Sequence, residues 1–349
     1  MIASFPPPYG GVANHVRRLS ALLDQRGISH VIYNAVSGSG DSKRVISVAH
    51  NRTSWLLKYA LTGEERGVYI FSDRLAVWLL GAYMATRRNK RVIVRLRNQA
   101  LPQMLSNPLT RSLAAFALQN VTCVVAVSWS LAEAAASVGV PRERIVHQPG
   151  FLPPALGATE ADALSRLQLS FVEQHTPILA ANGKVGFHLG SDLYGLDHLV
   201  ELVAQLVPDH PRLGLAISFW DHKPEDEGYL GQLRDRAARL GIADNILFHI
   251  ESRPFVPLLT KADLFLRPTC TDGDANSIRE ALYLGVPVIA SDVVERPAGT
   301  ILARTRDLGD LVTKAREVLL KKAPKLPNAG AVDMEGVERY VALLRSLVA

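Results

Sequence analysis

Short apolar runs recur along the chain, separated by stretches whose apolar residues fall three or four positions apart, and this alternation predicts strands and helices in turn. In the first part, strands are predicted at 1–5, 30–34, 44–48, 68–72, 91–96, 122–127 and 144–147. Between them, Val12, Val16, Leu19, Leu22 and Leu23 mark one face of a helix that Gly27 stops, and further helices are predicted at 74–86 and 130–138. Pro149-Gly150-Phe151-Leu152-Pro153-Pro154 breaks the pattern and predicts a domain boundary. Beyond it, strands are predicted at 178–181, 213–219, 245–250, 264–267 and 286–290, and helices at 196–206, 228–240, 255–260 and 277–284. After a loop rich in Lys and Pro, a last helix aligns Val337, Tyr340, Val341, Leu344, Leu347 and Val348 on one stripe.

Strand runs this uniformly apolar belong to parallel sheets covered by helices on both faces. The fold class expected is therefore α/β, with two doubly wound Rossmann-like domains facing a cleft. The boundaries expected are 1–152 and 153–328, followed by a C-terminal helix within 329–349. The longest apolar stretch, 112–129, is interrupted by Gln119, Asn120 and Thr122 and reads as helix then strand, not as a membrane span. The opening strand is short for a sheet, which raises the expectation that a few residues precede Met1.

Composition narrows the class without choosing a function. The 349 residues are 48% hydrophobic and 21% charged, the balance of a soluble globular protein and not of a disordered one. Two cysteines are too few for a disulfide framework or a cysteine-based metal site and fit a reducing compartment. The net charge of +6 suits a phosphorylated ligand or an anionic membrane surface. No nucleic-acid partner is expected.

Candidate chemistry concentrates in residues 267–291, a strand, a polar turn, a helix and a second strand. The turn, Thr271-Asp272-Gly273-Asp274-Ala275-Asn276, places two carboxylates and a glycine at the carboxyl end of a strand, where open α/β sheets bind ligands. A helix starting near Ser277 would turn the backbone amides of Ser277 and Ile278 toward a diphosphate. Glu280 follows Asp272 by eight positions, and Ser277-Ile278-Arg279-Glu280 also reads as a capping box, in which Glu280 would bond back to the helix start. Asp272-Gly273-Asp274 has an Asp-x-Asp spacing that could hold a divalent metal, but Asp and Gly are ordinary turn formers too. Gly10 and Gly11 form a turn after the first strand, and Arg97 places a permanent cation at the carboxyl end of the strand predicted at 91–96. His15, early in the first helix, is a further candidate.

Four stretches together resemble the retaining glycosyltransferases of family 4, which have the GT-B fold. They are Tyr9-Gly10-Gly11-Val12 with Arg17-Arg18-Leu19, Val124 to Ser128 with Val140 to Ile145, Ala262-Asp263-Leu264-Phe265, and the unit from Asp272 to Ser291. The resemblance implies a nucleotide-sugar donor bound by the second domain and a glycan or lipid-linked acceptor on the first, with no metal and no further cofactor. It makes Asp272 and Glu280 the acidic pair, the first near the donor sugar and the second on the nucleotide ribose. The donor side would comprise Gly10, Gly11, Lys184, Gly273, Asp274, Asn276, Ser277, Ile278 and Glu280. Asp272 stands where family members usually carry Glu, and Arg97 where they usually carry a histidine near the reacting sugar. The last helix is expected to pack back on the first domain. A bacterial surface- or exopolysaccharide role follows, in the cytoplasm and in peripheral contact with the inner face of the plasma membrane. The alternatives are a nucleotide-sugar epimerase or phosphorylase on the same fold, or a non-catalytic nucleotide-binding partner of another transferase.

Overall fold

The computed structural model describes residues 1–7, 9–36, 44–98, 100–154, 164–273, 275–321 and 334–348. Their contacts divide them into two units: one holds 1–7, 11–152 and the final helix, the other 153–321 together with 9 and 10.

The first unit is built on a sheet of seven parallel strands, β1 (Ile2–Ala3), β2 (Ile32–Asn34), β3 (Val45–Ser47), β4 (Gly67–Ile70), β5 (Arg91–Leu96), β6 (Cys123–Ala126) and β7 (Ile145–His147). Their spatial order is β3-β2-β1-β4-β5-β6-β7, so the winding reverses between β1 and β4. Helices Gly11–Gln25, Arg52–Thr62, Leu75–Arg87, Pro108–Gln119 and Trp129–Ser137 connect the strands.

In the second unit, β8 (Ile178–Gly183) leads through a small hairpin, β9 (Phe187–His188) and β10 (Ser191–Asp192), to helix Leu196–Leu206. β11 (Gly214–Phe219), β12 (Ile246–His249), β13 (Leu264–Arg267), β14 (Val288–Ser291) and β15 (Ile301–Ala303) complete a parallel sheet of six, ordered β12-β11-β8-β13-β14-β15. Side-chain alternation divides each strand between two cores. Leu179 and Ala181 join Leu215, Ile217 and Phe219 on one face, whereas Ile178 and Ala180 join Ala216 and Phe265 on the other. Burial on both faces is why these strands read as continuous apolar runs. The hairpin and β15 had no such signature, the hairpin because its strands are two residues each, β15 because it is a three-residue edge strand.

The last helix, Met334–Ser346, belongs to the first unit, and Val337, Tyr340, Val341 and Leu344 on its stripe are buried, as is Leu347 just beyond, while Val348 is half exposed. Its end approaches so closely that a Cβ on Gly67 would lie 2.6 Å from the Leu347 carbonyl oxygen. Lys90 is buried and donates to the Gly63 and Glu65 carbonyls at 2.8 and 2.6 Å. Among the described residues, no helix is long and apolar enough to cross a membrane.

Candidate active site

In the second unit the polar side chains gather at the carboxyl ends of β8, β13 and β14, beside the reversal of winding between β8 and β13. β13 is apolar until its last residue, Arg267. The Arg267 guanidinium donates from Nε and Nη2 to the two oxygens of Asp272, both at 2.9 Å, and from Nη1 to Asn182 Oδ1 at 3.1 Å. Arg296, in the segment after β14, donates from Nη1 to Asp272 Oδ2 at 2.9 Å and from Nη2 to Ser291 Oγ at 3.1 Å. Only 9% of the Asp272 side chain and 2% of the Arg296 side chain are exposed, so water screens this cluster little. Burial pushes the Asp272 pKa up, but the Arg267 and Arg296 guanidiniums outweigh it and hold the carboxyl below its usual range. Two guanidiniums against one carboxylate leave a buried cluster with about one positive charge in excess.

The loops around this cluster are fixed by close backbone approach. Gly195 has φ +67°, and a Cβ there would sit 2.4 Å from the Pro268 carbonyl oxygen. The loop that follows β13 therefore rests directly on the start of helix Leu196–Leu206. Tyr194 lies under Arg267, with its ring centroid 5.2 Å from the guanidinium carbon, a cation–π contact. Lys184, just past β8, places Nζ 5.2 Å from the centroid of the Trp220 ring.

Helix Asn276–Tyr283 starts one residue earlier than its sequence indicated, with Ala275 at the N-cap and no capping side chain. Ser277 is thus inside the helix and does not cap it, so the capping-box reading fails at its first residue. The Ile278 amide, expected to face a diphosphate, donates to the Ala275 carbonyl at 3.0 Å. Among the described residues, the first-turn amides left to an anion are those of Asn276 and Ser277. Glu280 lies one turn on and is 5% exposed. The Gly273 amide donates to Asp272 Oδ1 at 3.0 Å. Asp274 lies outside the described residues. Both Asp272 oxygens are engaged by arginines, an environment hostile to a metal cation, and among the described residues no three His, Cys, Asp or Glu side chains gather in a metal-binding group.

In the first unit, a cavity of about 320 Å³ opens at the carboxyl ends of β1 and β4, lined by Ala3, Trp55, Phe71, Asp73, Arg74 and Arg97 among others. Arg97 follows β5 and faces this cavity, but its charge is not free. Its Nη2 donates to Asp73 Oδ2 at 2.6 Å, and Asn98 donates to the same oxygen at 2.8 Å. The pair offers hydrogen bonds without net charge. His15 is 6% exposed and its Nδ1 lies 2.7 Å from the Gly150 carbonyl oxygen, which makes Nδ1 the protonated nitrogen and leaves Nε2 an acceptor with no partner among the described residues. Burial, then the Arg95 charge, holds its pKa well below the usual histidine value. Gly11 opens helix Gly11–Gln25, and a Cβ on Gly10 would meet nothing within 4 Å.

Asp73, Asn182, Arg267 and Arg296 had no role assigned from sequence. Arg267 carried one signal, a cation ending an apolar strand. Arg296 carried none, since it lies in a polar segment 24 residues from its partner.

Residues 186–321 match the family model described as glycosyl transferases group 1. Over 181 residues the chain is 29% identical to the lipopolysaccharide core biosynthesis mannosyltransferase LpsB of Rhizobium meliloti (strain 1021), a match covering 51% of this chain and 47% of that protein. The matched stretch therefore spans about half the length of the curated relative. HepE of Anabaena in complex with UDP superposes with a TM-score of 0.57 at 14% identity, over 94% of this chain and 87% of that one. WaaG, a glycosyltransferase involved in lipopolysaccharide biosynthesis, does so with a TM-score of 0.55 at 16% identity, over 100% and 95%. With two parallel Rossmann-like sheets in the chain, these likenesses establish the GT-B fold.

Proposed function

From a GT-B chain whose residues 186–321 belong to the group 1 glycosyl transferases, we propose a glycosyltransferase that moves a sugar, with retention and without a metal, from a nucleoside-diphosphate donor to a glycan or lipid-linked acceptor in surface-polysaccharide assembly. The observation that carries the reading is the buried Arg267–Asp272–Arg296 cluster with its excess positive charge at the β8–β13 reversal. Glycosyl transfer leaves negative charge on the departing diphosphate and positive charge at the anomeric carbon. Arg267, Arg296, Lys184 and the Asn276 and Ser277 amides serve the first. Glu280, one turn into the helix, is assigned to the ribose.

Asp272 takes a different part from the one its sequence position implied. Held by two arginines, it positions the cations that meet the diphosphate and does not reach freely toward a sugar. The complex of HepE with UDP and the mannosyltransferase relative make uridine and mannosyl nucleotides the first donors to screen. We assign the protein to the cytoplasm, at the inner face of the membrane that carries its acceptor.

Calorimetry with a panel of nucleoside diphosphates tests the reading. Binding of at least one is expected, weakened about ten- to hundred-fold in Glu280→Ala, as for a lost hydrogen bond to a charged group. Absence of binding across the panel sinks the proposal. A second reading, a nucleotide-binding partner without turnover, draws on the full engagement of Asp272. It predicts binding with no product from any acceptor.

A further inference from the structure

Trp129 is 69% exposed, yet its indole is not loose: it stacks on the His147 imidazole with centroids 4.2 Å apart and planes 27° apart. One indole face is covered and the other is open. Single exposed apolar side chains are common and mean little by themselves. Here the ring is held in place at the edge of the sheet where ligands bind.

Trp129 follows β6 as the first residue of its helix, and His147 is the last residue of β7. Leu96, Ala126 and His147 lie in register across β5, β6 and β7. Arg97, which lines the cavity at the end of β4, follows Leu96 directly. The platform therefore stands two strand spacings, about 10 Å, from Arg97 along the carboxyl edge. That is the reach of a short run of linked sugar rings.

The chemistry of the surroundings selects the occupant. Burial lowers the His147 pKa, with a backbone bond opposing it, so the imidazole is neutral near neutral pH. Glu133, one helical turn after Trp129, is paired in both oxygens by Arg142 at 2.7 and 2.8 Å. The Ser128 and Ser130 hydroxyls flank the indole in sequence and lie 2.9 Å apart. An open aromatic face, flanked in sequence by two hydroxyls and with the Glu133 carboxylate paired, suits the C–H face of a neutral pyranose better than a phosphate or an anionic headgroup.

We propose that Trp129, backed by His147, is a stacking platform for a sugar of the acceptor glycan that lies one or more residues back from the hydroxyl receiving the new sugar. The proposal rests on the glycosyltransferase reading and deepens it: the acceptor is an oligosaccharide, and its second or third ring is recognised by the first domain.

The test uses the full chain, with core oligosaccharide released from lipopolysaccharide by mild acid as the extended probe and methyl mannoside as the short one. Trp129→Ala is expected to raise the KM for the oligosaccharide about three- to ten-fold, the worth of one aromatic contact, with kcat and the donor KM unchanged. Trp129→Phe should restore most of the affinity, and the KM for methyl mannoside should not move. Saturation-transfer NMR of the oligosaccharide without donor separates the two readings. If the wild type shows no glycosyl transfer but binds the probe, and Trp129→Ala abolishes that binding, the platform stands while the transferase reading falls. Transfer with equal KM in wild type and Trp129→Ala overturns the platform, and so does Trp129-dependent sedimentation with phosphatidylglycerol vesicles in place of glycan binding.

Discussion

Asp272 accepts hydrogen bonds from two guanidiniums that water barely reaches, so its removal leaves two buried cations facing each other. Asp272→Ala is expected to cost about 3–5 kcal/mol of stability, the usual result of breaking one side of a buried ion pair. Urea titration measures it; a loss below about 1 kcal/mol would mean that the cluster is solvated. Because the folded carboxyl is held below its unfolded pKa, the contribution is present above roughly pH 4 and fades as pH falls through the folded value. His15 has the opposite chemistry with the same sign. Its folded pKa is depressed, so the unfolded chain binds the extra proton, and stability is lost as pH falls below roughly 6.5. His15→Gln should flatten the dependence of Tm on pH between about 7 and 5 without removing it, since burial also lowers His198 and His249.

At the scale of elements, the loop after β13 is shaped by its neighbour more than by its own sequence. Gly195→Ala would put a Cβ against a backbone oxygen and force a side chain onto a positive φ, so the Pro268 loop must move. The expected outcome is about 1–3 kcal/mol of lost stability, together with weaker nucleotide binding because Arg267 and Asp272 flank that loop. Unchanged calorimetric affinity in this variant would separate the loop from the site. The helices and strands that bury a full apolar stripe, such as Gly11–Gln25, Leu196–Leu206, β5 and β13, were legible in the sequence because periodicity follows directly from burial. The β9–β10 hairpin was not, since neither its polarity nor its length distinguishes it from a loop.

At the scale of the whole molecule, the proposed nucleotide site draws on residues of one unit. A nucleoside diphosphate at about a hundred times its Kd should stabilise the second unit by about 2.7 kcal/mol. Hydrogen exchange should then slow in the segments after β8, β13 and β14, with the first unit's sheet unaffected. Protection spread evenly over both units would show that the nucleotide is not held where the arginines place it.

By itself the sequence determined the two parallel α/β sheets, the place of the 267–291 unit at a strand end and that of Arg97 just past β5. Those are properties of short segments, in which apolar spacing and strand-end position carry the information. Tertiary structure alone decided which charges meet. Arg296 joins Asp272, Asp73 neutralises Arg97, His147 supports Trp129, and Tyr340 of the last helix brings its hydroxyl to Tyr69 at 2.7 Å. Each of these pairs joins residues from different elements, and an electrostatic or stacking partner leaves no periodic trace in the chain that supplies it.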